Sequence, residues 1–245
     1  MRRGGALLVL LLSVHGVAAE METLWSPTMP TAGIPPRGAL VVRMGMFPEG
    51  TLAVQLTGAP VERLMLGLGF GASNLIGAGA VQWQRIPGVE LRWRLLEETL
   101  QRPAVVLGVH TQGWGAYDAE ERRFEIPSAG VFLAAAKSFR WWLGGIAWHA
   151  VVGYSLEPPV AQRRLSAAVA VEHTVGSLGA VMLEYNSLGS DAAHHPRYRS
   201  GGILSGALRW NVAARATVEL QVVDLLGRQR EGQGYARAVV VTWRW

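Results

Sequence analysis

Val89-Glu90-Leu91-Arg92-Trp93-Arg94-Leu95 sorts its side chains strictly by parity, with apolar residues at the odd positions and charges at the even ones. A helix would spread Glu90, Arg92 and Arg94 around its circumference among apolar neighbours. An extended strand separates them, one set to each face. The same two-residue period recurs in Ala216-Thr217-Val218-Glu219-Leu220-Gln221-Val222, in Val181-Met182-Leu183-Glu184-Tyr185-Asn186 and in Leu208-Arg209-Trp210-Asn211. The chain therefore reads as all-β.

Extending this pattern along the sequence predicts about twelve strands, at 38–47, 51–58, 62–72, 89–96, 103–113, 129–137, 141–153, 164–174, 178–187, 201–211, 215–226 and 234–245. Each is close to the roughly 9–11 residues that a tilted strand needs to cross a membrane. Tight turns are expected at Ala59-Pro60, Ser138-Phe139-Arg140, Gly176-Ser177 and Ala213-Ala214, with a slightly longer one at 97–102. Between them fall longer connections at 73–88, 114–128, 155–163, 188–200 and 227–233. Short and long links alternate, with Pro48-Glu49-Gly50 the one short link where a long loop is due. The long links thus collect at one rim, as outer-membrane barrels arrange them. The fold expected is a single antiparallel up-and-down transmembrane β-barrel of 12 strands, with 10 or 14 as alternatives. If it closes, the first strand pairs with the last, which leaves no exposed edge.

Composition narrows the compartment. Half of the residues are hydrophobic and there is no cysteine. The most apolar stretch beyond residue 20, Trp141 to Tyr154, is too short for a helical span and carries Gly144, Gly145 and Gly153. Such apolarity belongs either to a large soluble core or to a barrel that turns its apolar residues to lipid. Met1-Arg2-Arg3, the apolar run from Ala6 to Leu12 and Val17-Ala18-Ala19 have the layout of a secretory signal peptide over 1–19. A proline-rich periplasmic lead-in over 20–37 would follow, then the barrel domain over 38–245. The formal charge of +5 falls to +3 without Arg2 and Arg3. The arginines are scattered singly, Lys137 is the only lysine, and no basic stripe suggests nucleic acid.

With lipid outside, the inner wall carries Arg43, Gln55, Glu90, Arg92, Arg94, His110, Gln112, His149, Glu172, Glu184, Asn186, Arg209, Asn211, Glu219, Gln221 and Arg244. Opposite charges recur among them, so pairing would offset the desolvation cost of buried ions. Two readings follow: a lumen plugged by its own salt bridges, which long side chains in a barrel of this size favour, or a narrow polar conduit. Hydrolysis would need a serine activated by an oriented histidine. His149 with Ser155, or His110 with Gln112 and Asn186, are the available groupings, and neither lies in a recognisable motif, so no catalytic residue and no cofactor is assigned. Asp191, His194 and His195 share a loop, but adjacent histidines point apart and no fourth ligand is near, so no metal is expected. The glycines of Gly67-Leu68-Gly69-Phe70-Gly71 alternate along a strand with no helix after them. They read as space for long side chains opposite, not as a phosphate loop. Asp118-Ala119-Glu120-Glu121-Arg122-Arg123 reads as a charged outer loop, which suits contact with lipopolysaccharide or glycan and equally a merely solvated loop.

The chain ends in Val239-Val240-Val241-Thr242-Trp243-Arg244-Trp245, an alternating strand with an aromatic last residue. Trp243 and Trp245 resemble the terminal signature read by the barrel-assembly machinery. Trp93, Trp114, Trp141, Trp142 and Trp210 join them as members of an expected interfacial girdle, while Trp148 falls deeper in its strand, where it would face acyl chains.

Several stretches together resemble the outer-membrane barrels of the YjbH-like group associated with exopolysaccharide. They are Thr31-Ala32-Gly33-Ile34-Pro35-Pro36-Arg37-Gly38, Arg63-Leu64-Met65-Leu66-Gly67, the segment from Pro87 to Leu95, Pro103-Ala104-Val105-Val106-Leu107-Gly108 and Gly153-Tyr154-Ser155-Leu156-Glu157. The resemblance implies a β-barrel with a role in export or organisation of surface polysaccharide, and it supplies no catalytic or binding residues. The function expected is a non-enzymatic, porin-like barrel of the bacterial outer membrane. Its partners would be membrane lipid, lipopolysaccharide, the assembly machinery and a polysaccharide. The alternatives are a membrane-embedded lipid-modifying enzyme and a soluble periplasmic barrel around an apolar ligand. The last of these requires the faces reversed, with Glu90, Arg92 and Arg94 in water.

Overall fold

A computed structural model describes residues 22–141, 144–157, 165–188, 198, 201–229 and 235–245. The expected signal peptide lies outside these residues. Among them the regular structure is all β, in fifteen strands. Twelve form the wall: β1 (Leu40–Phe47), β2 (Thr51–Val61), β3 (Leu64–Ser73), β5 (Gly88–Leu96), β6 (Ala104–His110), β9 (Gly130–Trp141), β10 (Gly144–Tyr154), β11 (Leu165–Val175), β12 (Gly179–Asn186), β13 (Ile203–Ala213), β14 (Ala216–Val223) and β15 (Ala236–Arg244). Successive wall strands are neighbours. β1 pairs antiparallel with β15 from Val41↔Arg244 to Met46↔Val239, which closes the barrel. The two-residue β4 (Gln82–Trp83) extends β3 at one rim. The hairpin of β7 (Trp114–Asp118) and β8 (Arg123–Ile126) forms a separate two-stranded sheet.

The parity of the opening segment decides which face is inside. Along β5 the side chains of Glu90, Arg92 and Arg94 are buried, while Val89, Leu91 and Trp93 are exposed. The outer wall repeats this: Leu66, Leu68, Leu107, Leu133, Val152, Val169, Leu183, Leu208 and Leu220 are all exposed. No water-soluble surface presents a continuous apolar belt of this kind. The chain is a membrane barrel, and the reversed faces that a soluble ligand-binding barrel requires are excluded.

Exposed aromatics collect at both ends of the belt. Trp93, Phe139, Trp210, Trp243 and Trp245 ring the short-turn end, and Phe70, Trp83, Tyr154, Tyr185 and Tyr235 the long-loop end. Trp148 lies between them, facing outward. Trp114 does not belong to the girdle; it is buried, 3% exposed, because its strand turns inward. The side chains of Trp141 and Trp142 lie outside the described residues.

Two turns fall later than their sequence suggests. β2 continues through Pro60 to Val61 with a register shift after Gly58, and the chain reverses at Glu62-Arg63, where Arg63 takes a left-handed φ of 66°. The shift accommodates a residue with no N–H to give to the ladder. β9 runs past Ser138 to Trp141, held extended by Glu98, which accepts from Ser138 N at 2.8 Å and Lys137 Nζ at 3.0 Å. One glycine is dictated by contact. Gly130 has φ 62°, and a Cβ there would sit 1.9 Å from the Tyr154 carbonyl oxygen, where β9 meets β10.

Candidate functional site: a lumen filled from both ends

The inner wall is built by parity and by glycine. Gly67 stands opposite Glu90 in the β3–β5 register, and Gly108 opposite Arg92 in the β5–β6 register. A Cβ on Gly67 would meet Thr57 and Glu90. On Gly69 it would meet the Gln112 side chain. Small residues on one strand thus leave room for long ones on the next.

Two parts of the chain occupy the space so bounded. The first is residues 22–37. This segment, expected as a lead-in ahead of the barrel, is packed inside it as a finger. It folds on itself through a bridge between Trp25 and Pro30, with Thr31 N donating to Leu24 O at 3.2 Å. Leu24, Trp25, Ser26, Met29, Thr31, Ala32 and Ile34 are all buried. Among the described residues its backbone joins no wall ladder before Gly38; side chains of the wall hold it. Near its base, Arg94 grips the Glu22 carboxylate with both terminal nitrogens and donates to Ala32 O at 3.0 Å. Arg92, fully buried, donates to Thr31 O and Gly33 O at 3.2 and 2.8 Å while its Nε pairs with Glu90 at 2.8 Å. Gln55 donates to the other Glu90 oxygen at 2.7 Å. At the tip, the hydroxyls of Ser26 and Thr28 donate to the two oxygens of Glu184, and Thr28 N donates at 3.2 Å. Asn186 donates to the Thr28 hydroxyl at 2.8 Å.

The second is the β7–β8 hairpin, which enters from the long-loop end. Its turn at Asp118 to Arg122, expected as an outer charged loop, remains at the surface, capped by Asp118 accepting from Glu120 N and Glu121 N. Its strands are buried. Trp114 packs edge-on against Phe47, with ring centroids 5.4 Å apart, and clusters with Ile126, Tyr198, Ile203 and Val223. Glu157, from the next loop, accepts from Phe124 N at 3.0 Å and Ser128 N at 2.5 Å. Burial pushes its carboxyl above the usual range, although those two N–H groups pull the other way. Tyr198 donates to Glu125 at 3.0 Å, and burial beside that carboxylate raises its phenol.

The expected lumen residues are distributed as follows. Glu90 with Arg92, and Arg94 with Glu22, form two pairs beneath the finger. Arg209 forms a third centre: it pairs with Glu219 at 2.7 Å and lies 3.4 Å from Glu172, and His149 Nε2 is 3.5 Å from the other Glu172 oxygen. Glu184 holds the tip of the finger. His110 is buried, and neither ring nitrogen has a hydrogen-bond partner among the described residues. Arg43 lies over the Trp25 ring at 5.1 Å, and Arg244 lies near Arg209. Asn211, expected inside, is exposed at the short-turn rim, where it donates to Ser177 O.

Among the described residues no hydrogen bond joins His149 to Ser155, or His110 to Gln112 or Asn186. The Ser155 hydroxyl accepts from Glu157 N at 3.2 Å while His149 faces Glu172, and Asn186 is engaged by Thr28 and by Leu188 N. Asp191, His194 and His195 lie outside the described residues. Trp243 and Trp245 face outward with centroids 6.0 Å apart on the closing strand.

Sequence reasoning missed the finger and the hairpin as lumen fillers. A signal for the first was present: Thr23 to Pro36 carries no charged residue, which is unusual for a segment left in water. A signal for the second lay in the apolar flanks of the Asp118–Arg123 turn, Trp114 and Tyr117 on one side and Phe124 and Ile126 on the other.

Neither a family model nor a curated protein matches the chain. Among solved structures it is similar to a NanC porin, with 11% identity, 83% of this chain and 97% of that one covered, and a TM-score of 0.43. It is also similar to OmpT, an outer membrane protein of Vibrio cholerae in its trimer form, with 8% identity, 84% and 97% covered, and a TM-score of 0.29.

Proposed function

We propose that this is a non-enzymatic barrel of the bacterial outer membrane that works as a conduit closed at rest by its own N-terminal finger. The observation that carries the reading is how the finger is held. It fills the polar lumen yet shares no ladder with the wall before Gly38, so it can leave without breaking a strand pair. Its anchors are side-chain hydrogen bonds, each worth about 0.5–1.5 kcal/mol net, or about 1.5–3 where a charged group takes part. A purely structural filler has no need of polar anchors; apolar packing would hold it as well at lower desolvation cost. The resemblance to exopolysaccharide-associated barrels adds a passenger class to this proposal, a surface polysaccharide.

Single-channel recording tests it. The intact barrel in a planar bilayer should be closed almost all of the time, and a variant lacking residues 22–36 should conduct steadily. Adding a purified surface polysaccharide should block that current if the passenger class is right. A finger-deleted barrel that folds, inserts and never conducts would leave only the structural role.

A further inference from the structure

Between the finger and the wall lies a cavity with room for a water-sized occupant, whose polar lining is almost entirely donors. Arg43 of β1, Thr242 of β15 and Thr217 of β14 stand in one row, since Arg43 pairs with Thr242 and Thr242 with Thr217 in the ladders. Arg244 is the next inward residue on β15, Arg209 lines the cavity from β13, and the finger contributes Trp25.

The donors outnumber the acceptors. Among the described residues, the indole N–H of Trp25, 7% exposed, has no hydrogen-bond partner, and neither has the Nε of Arg244. Arg43 stacks on the Trp25 ring but makes no ion pair with any described carboxylate. Glu219 is the one acidic residue of the lining, and both of its oxygens are engaged. One takes Arg209 Nε and a terminal nitrogen at 2.8 and 2.7 Å, and the other takes Gln221 Nε2 at 2.6 Å. Glu219 and Glu90 act on Arg43, and Glu172 on Arg244, only through space, while Arg209 adds a like charge beside both. Among the described residues neither guanidinium has a carboxylate in contact, which costs free energy until an anion enters.

We infer that this cavity is an anion site, taking one small monovalent anion such as a halide or formate. The arginines supply charge, and the indole N–H and the two threonine hydroxyls supply directed donors. Because Trp25 forms one side, an occupant also bridges the finger to the wall. The site concerns binding in the closed form and does not depend on whether the barrel conducts.

The test uses the full-length barrel refolded in detergent micelles, with chloride and formate as sodium salts for probes. Chloride-35 line broadening should be several-fold larger for the native protein than for Arg43→Gln/Arg244→Gln, and formate should reverse it if a carboxylate fits the site. At constant ionic strength, replacing chloride by a bulky sulfonate should lower the native melting temperature by several degrees and leave that of the double variant unchanged. Thr242→Val, a milder change, should lie between them, which keeps the test sound if the double variant folds poorly. Equal broadening in native and variant proteins, together with a melting temperature indifferent to chloride, would overturn the assignment.

Discussion

The Trp114 indole N–H donates to the Gln221 side-chain oxygen at 2.9 Å, tying the β7–β8 hairpin to the opposite wall. Gln221 donates in turn to Glu219, Glu219 holds Arg209, and Arg209 reaches Thr23 Oγ1 at 3.1 Å and Trp25 O at 3.5 Å. One polar chain therefore connects the hairpin that enters from the long-loop end to the finger at the opposite end. Gln221→Leu should cut it. The expected outcome is trypsin cleavage at Arg122, in the exposed turn, several-fold faster than in the native protein, with heat-modifiable gel mobility retained. An unchanged cleavage rate would mean that the apolar cluster around Trp114 holds the hairpin alone.

Among the described residues, Glu184 is the sole acceptor for the Ser26 and Thr28 hydroxyls at the finger tip apart from local backbone. Glu184→Ala leaves those donors without their partner inside the lumen, at a cost of about 1–3 kcal/mol. At 1.4 kcal/mol per tenfold, the ratio of open to closed time in single-channel records should rise on the order of tenfold or more. Melting of the barrel should move far less, because the wall ladders are untouched.

Glu157 gives the long-loop end a pH dependence of definite sign. Its folded carboxyl titrates above the usual range because burial disfavours the charged form. The folded protein therefore binds that proton more readily than the unfolded chain, so its contribution to stability is complete below the ordinary carboxyl range and is lost as pH rises through the raised value. The melting temperature should fall across that window, and the fall should be smaller in Glu157→Gln, which cannot ionise. An identical pH profile in the variant would remove Glu157 from the account.

Leu91 lies on the outer face of β5, between Leu66 and Val109 of the neighbouring strands. Leu91→Arg should cost about 2–4 kcal/mol in denaturant unfolding from liposomes, the penalty for a cation near the bilayer midplane. Glu62→Arg, at the exposed turn beyond β2, should cost little. Equal costs would speak against a lipid-facing belt.

The wall was legible in the sequence because a membrane barrel obeys a single period. Glu90, Arg92 and Arg94 lie inside as their parity requires, and twelve strands close through β1 and β15. What fills the wall was not legible, since it follows no period. The segment 22–37 is short and proline-rich, without a charge from Thr23 to Pro36, and its place is set by scattered partners at Arg92, Arg94, Glu184 and Arg209, far away in the chain. The hairpin was masked by the charges of its own turn. Trp114 looked like a girdle residue because it sits at the end of a wall strand, and only the inward turn of β7 takes it off the surface. Pairings of this kind are decided by complementarity between distant residues, which no local window contains.

The central claim is that the finger occupies the lumen of a lipid-embedded barrel, and the absence of cysteine allows a direct measurement. Thr28→Cys and Glu120→Cys each place a single thiol, one at the half-buried finger tip, where Thr28 faces Glu184, and one at the exposed hairpin turn. In proteoliposomes, a charged, membrane-impermeant maleimide should label Glu120→Cys within minutes and Thr28→Cys at least a hundredfold more slowly. Labelling of Thr28→Cys as fast as Glu120→Cys, in a barrel that still shifts on heating, would place the finger in water and contradict the account.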